Sequence, residues 1–467
     1  MSTTPAPSPE TQPIADAWVH VQCAYTSLQR LRETGLYARE GPFFARLGPR
    51  FKTLVIVSYG QADGLLARSL APPGFECQVV SIDNAQGLEP ARFQASVPGR
   101  VCRALDEASA ASALVYTDQH YGGEVAVASA RELRRAGVRT GLIARGGYHW
   151  SRFESHDSGS ASGTAARAAA LEGELCRAAD LVIGSTRAMV DDLAWRHALP
   201  AERFRLIPNF VLDAGPAPDF DGRDKGLVLS VGRLEAQKRH DLLIRAFAAV
   251  APRFADARLV IIGEGTQREA LERLIAELKV PAEIRPRIGH EQLRGLMRTC
   301  RAYAQVSSLE GHPKAIIEAL SAGAPTLVTR APGVDDEVTP GVTGLVCRGT
   351  HEAVAQGLTD LLADEALSRQ LSKAASADIA SRLSLEAVLP EYERAMTDAM
   401  ESAGAGTAVP AATVRFDQTL LNVPPRVGAM EFVGAVAAFA RRLNDGDREV
   451  FLDTLATRLD LKAPTQA

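Results

Sequence analysis

The chain has 467 residues, of which 46% are hydrophobic and 23% charged, a composition typical of a globular protein. Its 52 lysines and arginines nearly balance its 56 aspartates and glutamates, which argues against nucleic acid as a partner. Neither a secretion signal nor an apolar run of about 20 residues stands out, so we expect a cytoplasmic protein. The length fits two α/β domains with appendages.

The N-terminal segment, residues 1–50, has a Pro/Ser/Thr-rich tail and then a helical pattern near residues 15–34, so we predict an N-terminal helical appendage. From Thr53 onward, short β-rich runs alternate with stretches long enough for helices. The runs are TLVIVS, QVVSI, ALVYT, TGLIA, DLVIG and FRLIP. This alternation predicts βαβ units and a parallel sheet over residues 51–220.

A Pro-, Gly- and Asp-rich segment at residues 208–226 predicts an interdomain linker with a boundary near residue 220. The alternation then restarts with GLVLSVG, ARLVIIG, AEIRPRI, AYAQVSS, APTLVTR and GLVCR. A second parallel sheet is therefore predicted over residues 221–383. Leu243, Phe247 and Val250 recur at helical spacing and are predicted to cover it.

The C-terminal part is predicted to be helical, with one helix at residues 384–400 and two amphipathic helices within residues 404–467, near 429–443 and 447–461. An oligomer contact, a partner site and a membrane-surface contact all stay open for the last two helices. The Asp445-Gly446-Asp447 triplet is interpreted as a helix-start turn rather than a calcium loop, because the other ligand positions are missing.

Two Rossmann-like domains leave a cleft at the carboxyl ends of both sheets, where open α/β folds bind ligands. In SVGRLEAQK the chain leaves a strand and enters a helix, which brings Arg233 and Lys238 to the cleft edge. A guanidinium and an ammonium beside helix-start N–H groups suit a diphosphate. Two solvated surface charges would give the same pattern.

A second glycine turn, Gly263-Glu264-Gly265, allows the backbone to approach a ligand closely, although a tight βα turn explains it equally well. The segment SSLEGHPKAIIEAL reads as strand end, polar loop and helix, with Pro313 in the first helical turn. It places Glu310 at the helix entrance and Glu318 about two turns inside, where carboxylates can accept hydrogen bonds from sugar and ribose hydroxyls. Exposure on a helix face is the alternative for Glu318.

In this order, SVGRLEAQK, IIGEG, SSLEGHPKAIIEALSAGAP and APGVDDEVTPGVTGLV closely resemble the donor-binding domain of glycosyltransferase family 4 over most of residues 226–400. AADLVIGST and IPNFV, in the first half, resemble the acceptor-side domain of that family more loosely. The resemblance implies an α/β GT-B fold, in which two Rossmann-like domains face each other across a cleft, with helical N- and C-terminal appendages here. It also implies that the helix at 384–400 returns to the first domain.

The resemblance implies a retaining transfer from a nucleoside diphosphate sugar to a glycan or lipid-linked hydroxyl, without a metal or other cofactor. Arg233 and Lys238 would hold the diphosphate and Glu318 the ribose. Glu310, which is also a catalytic candidate, would hold the transferred sugar together with the neighbouring donor-binding residues Gly311, His312 and Pro313. The Asp219-Phe220-Asp221 triplet is interpreted as turn chemistry rather than a metal site.

The acceptor side departs from the family pattern. Arg145 stands where the family often has a histidine, so we consider Arg145 and His149 as catalytic candidates and His120 as a weaker one on the acceptor side. The loop around Gly60 lacks the adjacent glycines common in the family.

These departures keep a non-catalytic nucleotide-sugar-binding or regulatory protein open as an alternative. A phosphorylase or an epimerase of the same architecture is a further alternative. The nucleotide sugar and the glycan or lipid-linked acceptor are the expected partners, with peripheral membrane contact and a homo-oligomer left open.

Overall fold

The structure, a computed structural model, describes residues 12–24, 26–33, 37–61, 63–69, 77–148, 150–158, 163–212 and 220–404. His149, Asp219, the predicted helices near 429–443 and 447–461, and the Asp445-Gly446-Asp447 triplet lie outside the described residues.

The first domain contains a parallel sheet of seven described strands. The strands are β1 (Ala17–Val21), β2 (Thr53–Val57), β3 (Gln78–Ile82), β4 (Ser112–Thr117), β5 (Arg139–Gly146), β6 (Leu181–Gly184) and β7 (Phe204–Leu206). They lie in the order β3-β2-β1-β4-β5-β6-β7. The six runs predicted as strands are all strands, and all six take part in this sheet.

The prediction of a helix over residues 15–34 is wrong in its first half. Ala17–Val21 is β1, which pairs with both β2 and β4 at the middle of the sheet, and the helix that follows covers only Leu28–Glu33. The N-terminal segment is therefore part of the first domain. A five-residue strand buried on both faces has no alternation of polar and apolar residues, so its periodicity does not distinguish it from a helix.

Helices cover both faces of this sheet. They are α1 (Leu28–Glu33), α2 (Tyr37–Leu47), α3 (Asp63–Ser69), α4 (Pro90–Glu107), α5 (Gly123–Arg135), α6 (Trp150–Ser158), α7 (Gly163–Ala178) and α8 (Arg187–His197). One apolar core contains Trp18, Phe43 and Phe44, and the core on the opposite face contains Phe93 and Leu133. Burial on both faces explains why the strands read as continuous apolar runs.

The second domain repeats this design with six described strands. They are β8 (Asp224–Val231), β9 (Arg258–Ile262), β10 (Ala282–Arg285), β11 (Cys300–Gln305), β12 (Thr326–Thr329) and β13 (Leu345–Cys347), in the order β10-β9-β8-β11-β12-β13. The helices are α9 (His240–Val250), α10 (Arg268–Leu278), α11 (His290–Thr299), α12 (Lys314–Ser321), α13 (His351–Ala363) and α14 (Glu365–Leu383). Leu243, Phe247 and Val250 are buried against the sheet, which confirms their predicted role.

The last described helix, α15 (Leu385–Gly404), packs on the first sheet, where Tyr392 and Met396 belong to its apolar core. The chain thus crosses between the domains twice, and the two crossings are hydrogen-bonded to each other. The Val211 N–H donates to the Leu383 carbonyl at 2.8 Å, and the Leu385 N–H donates to the Val211 carbonyl at 2.9 Å.

In both sheets the strand order reverses beside the first strand, between β1 and β4 and between β8 and β11. Open parallel sheets bind ligands outside the carboxyl ends of the strands at such a reversal. The loops that follow β1, β4, β8 and β11 are therefore the places where a functional site is expected.

Candidate active site

The loops after the neighbouring strands β8 and β9 pack backbone against backbone. A Cβ on Gly263 would lie 1.9 Å from the Gly232 carbonyl oxygen, and one on Gly265 would lie 2.6 Å from the Leu234 carbonyl oxygen. The Leu234 N–H donates to the Glu264 carbonyl at 2.8 Å. Both glycines of the Gly263-Glu264-Gly265 turn are therefore required for the close packing that holds the Arg233 loop in place.

Lys238 and Glu310 form the centre of the candidate site. The Lys238 Nζ donates to Glu310 Oε1 at 2.5 Å, and both side chains are largely buried. Gln305 Nε2 and Ser307 Oγ donate to the same oxygen, each at 2.7 Å. The sequence predicted these two charged residues as site residues, and the structure brings them into direct contact.

Arg233 is exposed beside this contact, whereas the stem of Lys238 lies over Gly232, where a Cβ would be 3.5 Å from Lys238 Cδ and Cε. The Arg233 charge also acts on the first domain. Burial raises the pKa of Tyr148, and the positive charge of Arg233 opposes that increase. Arg233 therefore lies at the rim between the two domains.

Glu318 lies in α12, the helix entered from the Glu310 loop. It is the fifth residue of that helix, just over one turn from the start rather than two, and Pro313 precedes the first turn as the N-cap residue. Its carboxylate is 3.4 Å from His290 Nε2, a residue that the sequence did not single out. Its side chain is 12% exposed, so Glu318 is not an ordinary surface residue.

The Gly311 backbone meets the first domain directly. A Cβ on Gly311 would lie 2.6 Å from Tyr148 Cβ, and the His312 N–H donates to the Gly147 carbonyl at 3.4 Å. On the other side, a Cβ on Gly333 would lie 2.3 Å from the Glu310 carbonyl oxygen. The loop that carries Glu310 thus lies between the loop that follows β5 and the residues that follow β12.

His312 is buried and connects three parts of the chain. Its Nδ1 accepts from the Asn209 N–H at 3.2 Å, and its carbonyl accepts from Asn209 Nδ2 at 2.8 Å. Its Nε2 is 2.9 Å from Glu337 Oε1, and Arg382 donates to the other oxygen of Glu337 at 3.0 Å. Burial alone would raise the pKa of Glu337, but the hydrogen bonds and charges of His312 and Arg382 lower it below its usual value.

Arg145 is buried at the end of β5, and its guanidinium is held by the protein. Nη2 donates to Asn209 Oδ1 at 2.6 Å, and Nη1 donates to the Asp118 carbonyl at 3.2 Å. Arg145, Asn209, Asp118, His20 and Lys314 line a small enclosed pocket with aromatic walls. Arg145 therefore joins the two domains through Asn209.

His120 and Gly60 both lie in loops at the carboxyl ends of first-domain strands, where the sequence placed them. His120 is fully buried, with Nδ1 3.4 Å from the buried Glu172 carboxylate. A Cβ on Gly60 would overlap the Asp63 carboxylate, which accepts from the Leu28 N–H at 2.7 Å. These two predicted residues are thus packed into loops of the first domain.

Sequence reasoning missed Asn209, Gln305 and Ser307 as site residues. Asn209 lies within IPNFV, which was noticed only as a motif, and Ser307 opens the segment that carries Glu310. Among the residues that the structure describes, no group of three or more His, Cys, Asp or Glu side chains could hold a metal ion. Within the same residues, no helix combines the length and apolar character needed to cross a bilayer.

Part of the chain is similar in sequence to known glycosyltransferases. Residues 220–378 match the family model described as glycosyl transferases group 1. Over 169 residues the chain is 32% identical to a GDP-mannose-dependent α-(1-6)-phosphatidylinositol monomannoside mannosyltransferase of Mycolicibacterium smegmatis, covering 32% of this chain and 44% of the relative. Over 232 residues it is 31% identical to a D-inositol 3-phosphate glycosyltransferase of Streptomyces avermitilis, covering 44% and 49%. The chain thus spans about half the length of these relatives.

Solved structures share the fold over a larger part of the chain. Anabaena HepE, solved in complex with UDP and glucose, superposes with a TM-score of 0.61 at 17% identity, covering 81% of this chain and 99% of that one. The sucrose-phosphate synthase of Thermosynechococcus elongatus gives a TM-score of 0.59 at 17% identity, covering 81% and 98%. The fold is therefore the GT-B fold, with two Rossmann-like domains, as the sequence predicted.

Proposed function

We propose that the chain transfers a sugar from a nucleoside diphosphate sugar to a hydroxyl acceptor, with retention of the anomeric configuration. One observation carries this proposal: Lys238 and Glu310, 72 residues apart, are in contact at the carboxyl ends of β8 and β11, where the strand order reverses. This is the position at which α/β sheets bind nucleotides. The match of residues 220–378 to glycosyl transferases group 1 supports the same function.

Lys238 would bind the donor diphosphate while it keeps its contact with Glu310. An ammonium group has three N–H donors, so it can hold the carboxylate and a phosphate oxygen together. Its positive charge also reduces the repulsion between Glu310 and the diphosphate. Arg233, exposed at the rim, would add a planar pair of donors to the phosphates.

Glu310 and Glu318 would recognise hydroxyl groups of the donor. Gln305 and Ser307 donate to one oxygen of Glu310 and fix the orientation of the carboxylate. We assign the transferred sugar to Glu310 with the Gly311 backbone, and the ribose to Glu318. As the bond to the sugar breaks, the leaving diphosphate gains negative charge, which Arg233 and Lys238 would stabilise.

The proton of the acceptor hydroxyl can pass to the leaving diphosphate itself, so the proposal assigns no side chain as a general base. Arg145 is buried and bonded to Asn209 and the Asp118 carbonyl, and we therefore propose a positioning role for it. We also propose that the reaction needs no metal ion, since two cations lie where the leaving group would be. Transfer that is unchanged after EDTA treatment would support this, and loss that Mg²⁺ restores would contradict it.

The acceptor is proposed to be a glycan or a lipid-linked hydroxyl. The relatives support this class by their names, which include a phosphatidylinositol mannoside mannosyltransferase and a transferase acting on a diphospho-undecaprenol in Campylobacter jejuni. A lipid-linked acceptor would bring the protein to the cytoplasmic face of a membrane. Cosedimentation with vesicles that carry the acceptor, compared with bare vesicles, tests this.

The donor site is tested by the thermal shift of the purified protein with UDP, GDP and ADP, in the wild type and in Arg233→Ala/Lys238→Ala. We expect one nucleotide to stabilise the wild type and to lose that effect in the variant. Lys225→Met, on an exposed lysine of β8, is the matched control and should respond like the wild type. If no nucleotide shifts the wild type at millimolar concentration, the proposed donor site is wrong.

A further inference from the structure

Two polar side chains, Tyr303 and Gln305, are buried in β11, the strand that leads to the Glu310 loop. Tyr303 is fully buried and Gln305 is only 2% exposed. Residues two apart in a strand lie on the same face of the sheet, so the two side chains are neighbours. A buried polar group costs free energy unless it is hydrogen-bonded. Both of these side chains are hydrogen-bonded, and their bonds lead to the candidate site.

The hydrogen bonds of this pair run in one direction, from Tyr303 through Gln305 to Glu310. The Tyr303 hydroxyl donates to Gln305 Oε1 at 2.7 Å, and Gln305 Nε2 donates to Glu310 Oε1 at 2.7 Å. The Glu310 carboxylate is paired with Lys238 and can only accept, so it must face the nitrogen of the amide. The oxygen of the amide then accepts from the hydroxyl. We call this arrangement the Tyr303–Gln305 relay.

The Tyr303 hydroxyl is influenced by both carboxylates assigned to the donor. Burial, followed by the negative charges of Glu310 and Glu318, raises the pKa of Tyr303 well above its usual value. The hydroxyl therefore keeps its proton and remains a hydrogen-bond donor at physiological pH. The backbone of Val231, the last residue of β8, hydrogen-bonds to the same hydroxyl. The relay thus connects the ends of β8 and β11, the two strands between which the strand order reverses.

The donors to the Glu310 carboxylate all converge on one of its oxygens. Lys238 Nζ, Gln305 Nε2 and Ser307 Oγ each donate to Oε1. Within the part of the chain that the structure describes, no group donates to Oε2. Three donors occupy the lone pairs of Oε1, so Oε2 is the oxygen that can accept from a ligand. A rotation that exchanged the two oxygens would break all three bonds.

We propose that Tyr303 and Gln305 are positioning residues, which hold Glu310 with Oε1 occupied so that Oε2 accepts a hydroxyl of the transferred sugar. The role rests on the proposed function, in which Glu310 binds that sugar. Both side chains are buried and act on the donor only through Glu310. Loss of the relay should therefore slow the reaction of the sugar and leave the binding of the nucleotide unchanged.

Gln305→Glu tests the relay by its pH dependence. A protonated carboxyl group can replace the amide, because its carbonyl oxygen accepts from Tyr303 and its O–H donates to Glu310. An ionised carboxylate would repel Glu310 instead. Burial and the Glu310 charge raise the pKa of the introduced group, so acid restores the bond. Relative to the wild type at the same pH, donor hydrolysis should be at least about tenfold slower at pH 8.5 and within about threefold at pH 6.

Three further variants provide the comparison. Gln305→Met has an unbranched apolar side chain and should be slow at both pH values. Tyr303→Phe removes only the hydroxyl and should slow hydrolysis about tenfold, while the affinity for nucleoside diphosphate stays within about threefold. Gln356→Glu is the matched control, because the Gln356 amide also donates to a carboxylate at 2.7 Å, that of Asp360, but at an exposed position. It should follow the wild type at both pH values.

The melting temperature tests the relay itself, apart from its role in the reaction. The introduced carboxyl group destabilises the fold only where it is ionised, so Gln305→Glu should melt several degrees below the wild type at pH 8.5 and about a degree below it at pH 6. An equal difference at both pH values overturns the relay.

A difference that shrinks in acid while hydrolysis does not recover overturns the positioning role, as does hydrolysis at the wild-type rate by folded Tyr303→Phe. A wild type that hydrolyses no donor overturns the proposed function and this role with it. In that case the melting temperatures still show whether the relay exists, so the two failures are distinguishable.

Discussion

The side-chain amide of Asn209 joins Arg145 in the first domain to His312 in the second. Its oxygen accepts from Arg145 Nη2 at 2.6 Å, and its nitrogen donates to the His312 carbonyl at 2.8 Å. Asn209 lies in the segment that leads from one domain to the other, and His312 follows Glu310 by two residues. These two hydrogen bonds link the first domain to the loop that carries Glu310.

Two substitutions of Asn209 distinguish the hydrogen bond to Arg145 from the hydrogen bond to His312. Asn209→Asp keeps an acceptor for Arg145 but places an oxygen against the His312 carbonyl, whereas Asn209→Ala removes both bonds. If the bond to His312 positions the Glu310 loop, both variants should lose about tenfold in transfer rate. Asn209→Ala should also lower the melting temperature by several degrees, because the buried Arg145 then loses one of its hydrogen-bond partners. Wild-type transfer by Asn209→Asp would contradict the positioning role.

Lys238→Met and Glu310→Gln should affect different steps. Lys238→Met removes the proposed charge-assisted hydrogen bond to the diphosphate and should weaken nucleotide binding by about 10- to 100-fold. Glu310→Gln should leave nucleotide binding within about threefold and lower transfer by about a hundredfold or more, because its proposed ligand is the sugar. Calorimetric titration and initial rates measure the two effects, with Lys225→Met as the surface control. Equal losses in both measurements for both variants would show that the assigned roles are wrong.

The packing between the loops after β8 and β9 predicts a contrast between two glycines. Gly263→Ala would place a methyl group 1.9 Å from the Gly232 carbonyl oxygen, a collision between main chains. We expect a loss of at least about 3 kcal/mol in the free energy of unfolding. Gly289→Ala meets nothing within 4 Å and should change it by no more than about 0.5 kcal/mol. Similar denaturation midpoints for the two variants would contradict this description of the loops.

The low pKa of His240 predicts a loss of stability in mild acid. The pKa is about 4 in the folded chain, below the usual 6.5, mainly because of burial. At pH 7 the histidine is neutral in both states, but below pH 6.5 it gains a proton only in the unfolded chain. Stability is therefore lost as the pH falls from 6.5 toward 4, and the loss from this residue should reach about 2 kcal/mol at pH 5.

Urea denaturation at pH 7 and pH 5 measures this effect in the wild type and in His240→Phe. The variant lacks the ionisable group, so its free energy of unfolding should fall less between the two pH values than that of the wild type. His351→Phe, at an exposed histidine, is the control and should follow the wild type. An identical fall in His240→Phe and the wild type would show that His240 is not the group responsible.

Glu337 should make the stability of the fold depend on pH, unlike an exposed surface carboxylate whose pKa changes little on folding. Its pKa is lowered because the bonds to His312 and Arg382 outweigh burial. The stabilisation is present above the unfolded pKa near 4.5 and is lost as the pH falls through the folded pKa. Glu337→Gln should therefore be less stable than the wild type at pH 7, with the difference shrinking below pH 4.5. A difference that is constant with pH would contradict the ion-pair explanation.

The strands could be predicted from sequence wherever apolar β-rich runs were separated by helical patterns, and twelve such runs are strands. β1 could not, because Ala17–Val21 is short, buried on both faces and followed by a helical segment. Its place in the sheet depends on pairing with β2 and β4, which lie 36 and 95 residues further along the chain. Periodicity within a short window contains no information about those contacts.

The candidate site, like the sheet, was only partly predictable from the sequence. Lys238 and Glu310 could be predicted because they lie in motifs at strand ends, and parallel strand ends meet at one edge of the sheet. The Gln305 and Asn209 contacts could not, because an amide in an apolar segment has no distinctive local signature. The burial of Arg145 likewise depends on Asn209, 64 residues away. Those roles follow from tertiary contacts that only the structure supplies.

Transfer from a nucleoside diphosphate sugar is tested by the release of nucleoside diphosphate from a panel of UDP-, GDP- and ADP-sugars, followed by chromatography. The anomer of the freed sugar is read by NMR in the first minutes. We expect slow hydrolysis of one class of donor without any acceptor, with the configuration retained and with release reduced at least about tenfold in Lys238→Met. No release of diphosphate from any donor by a chain that nucleotide stabilises would contradict it, and an inverted anomer would contradict the proposed retention.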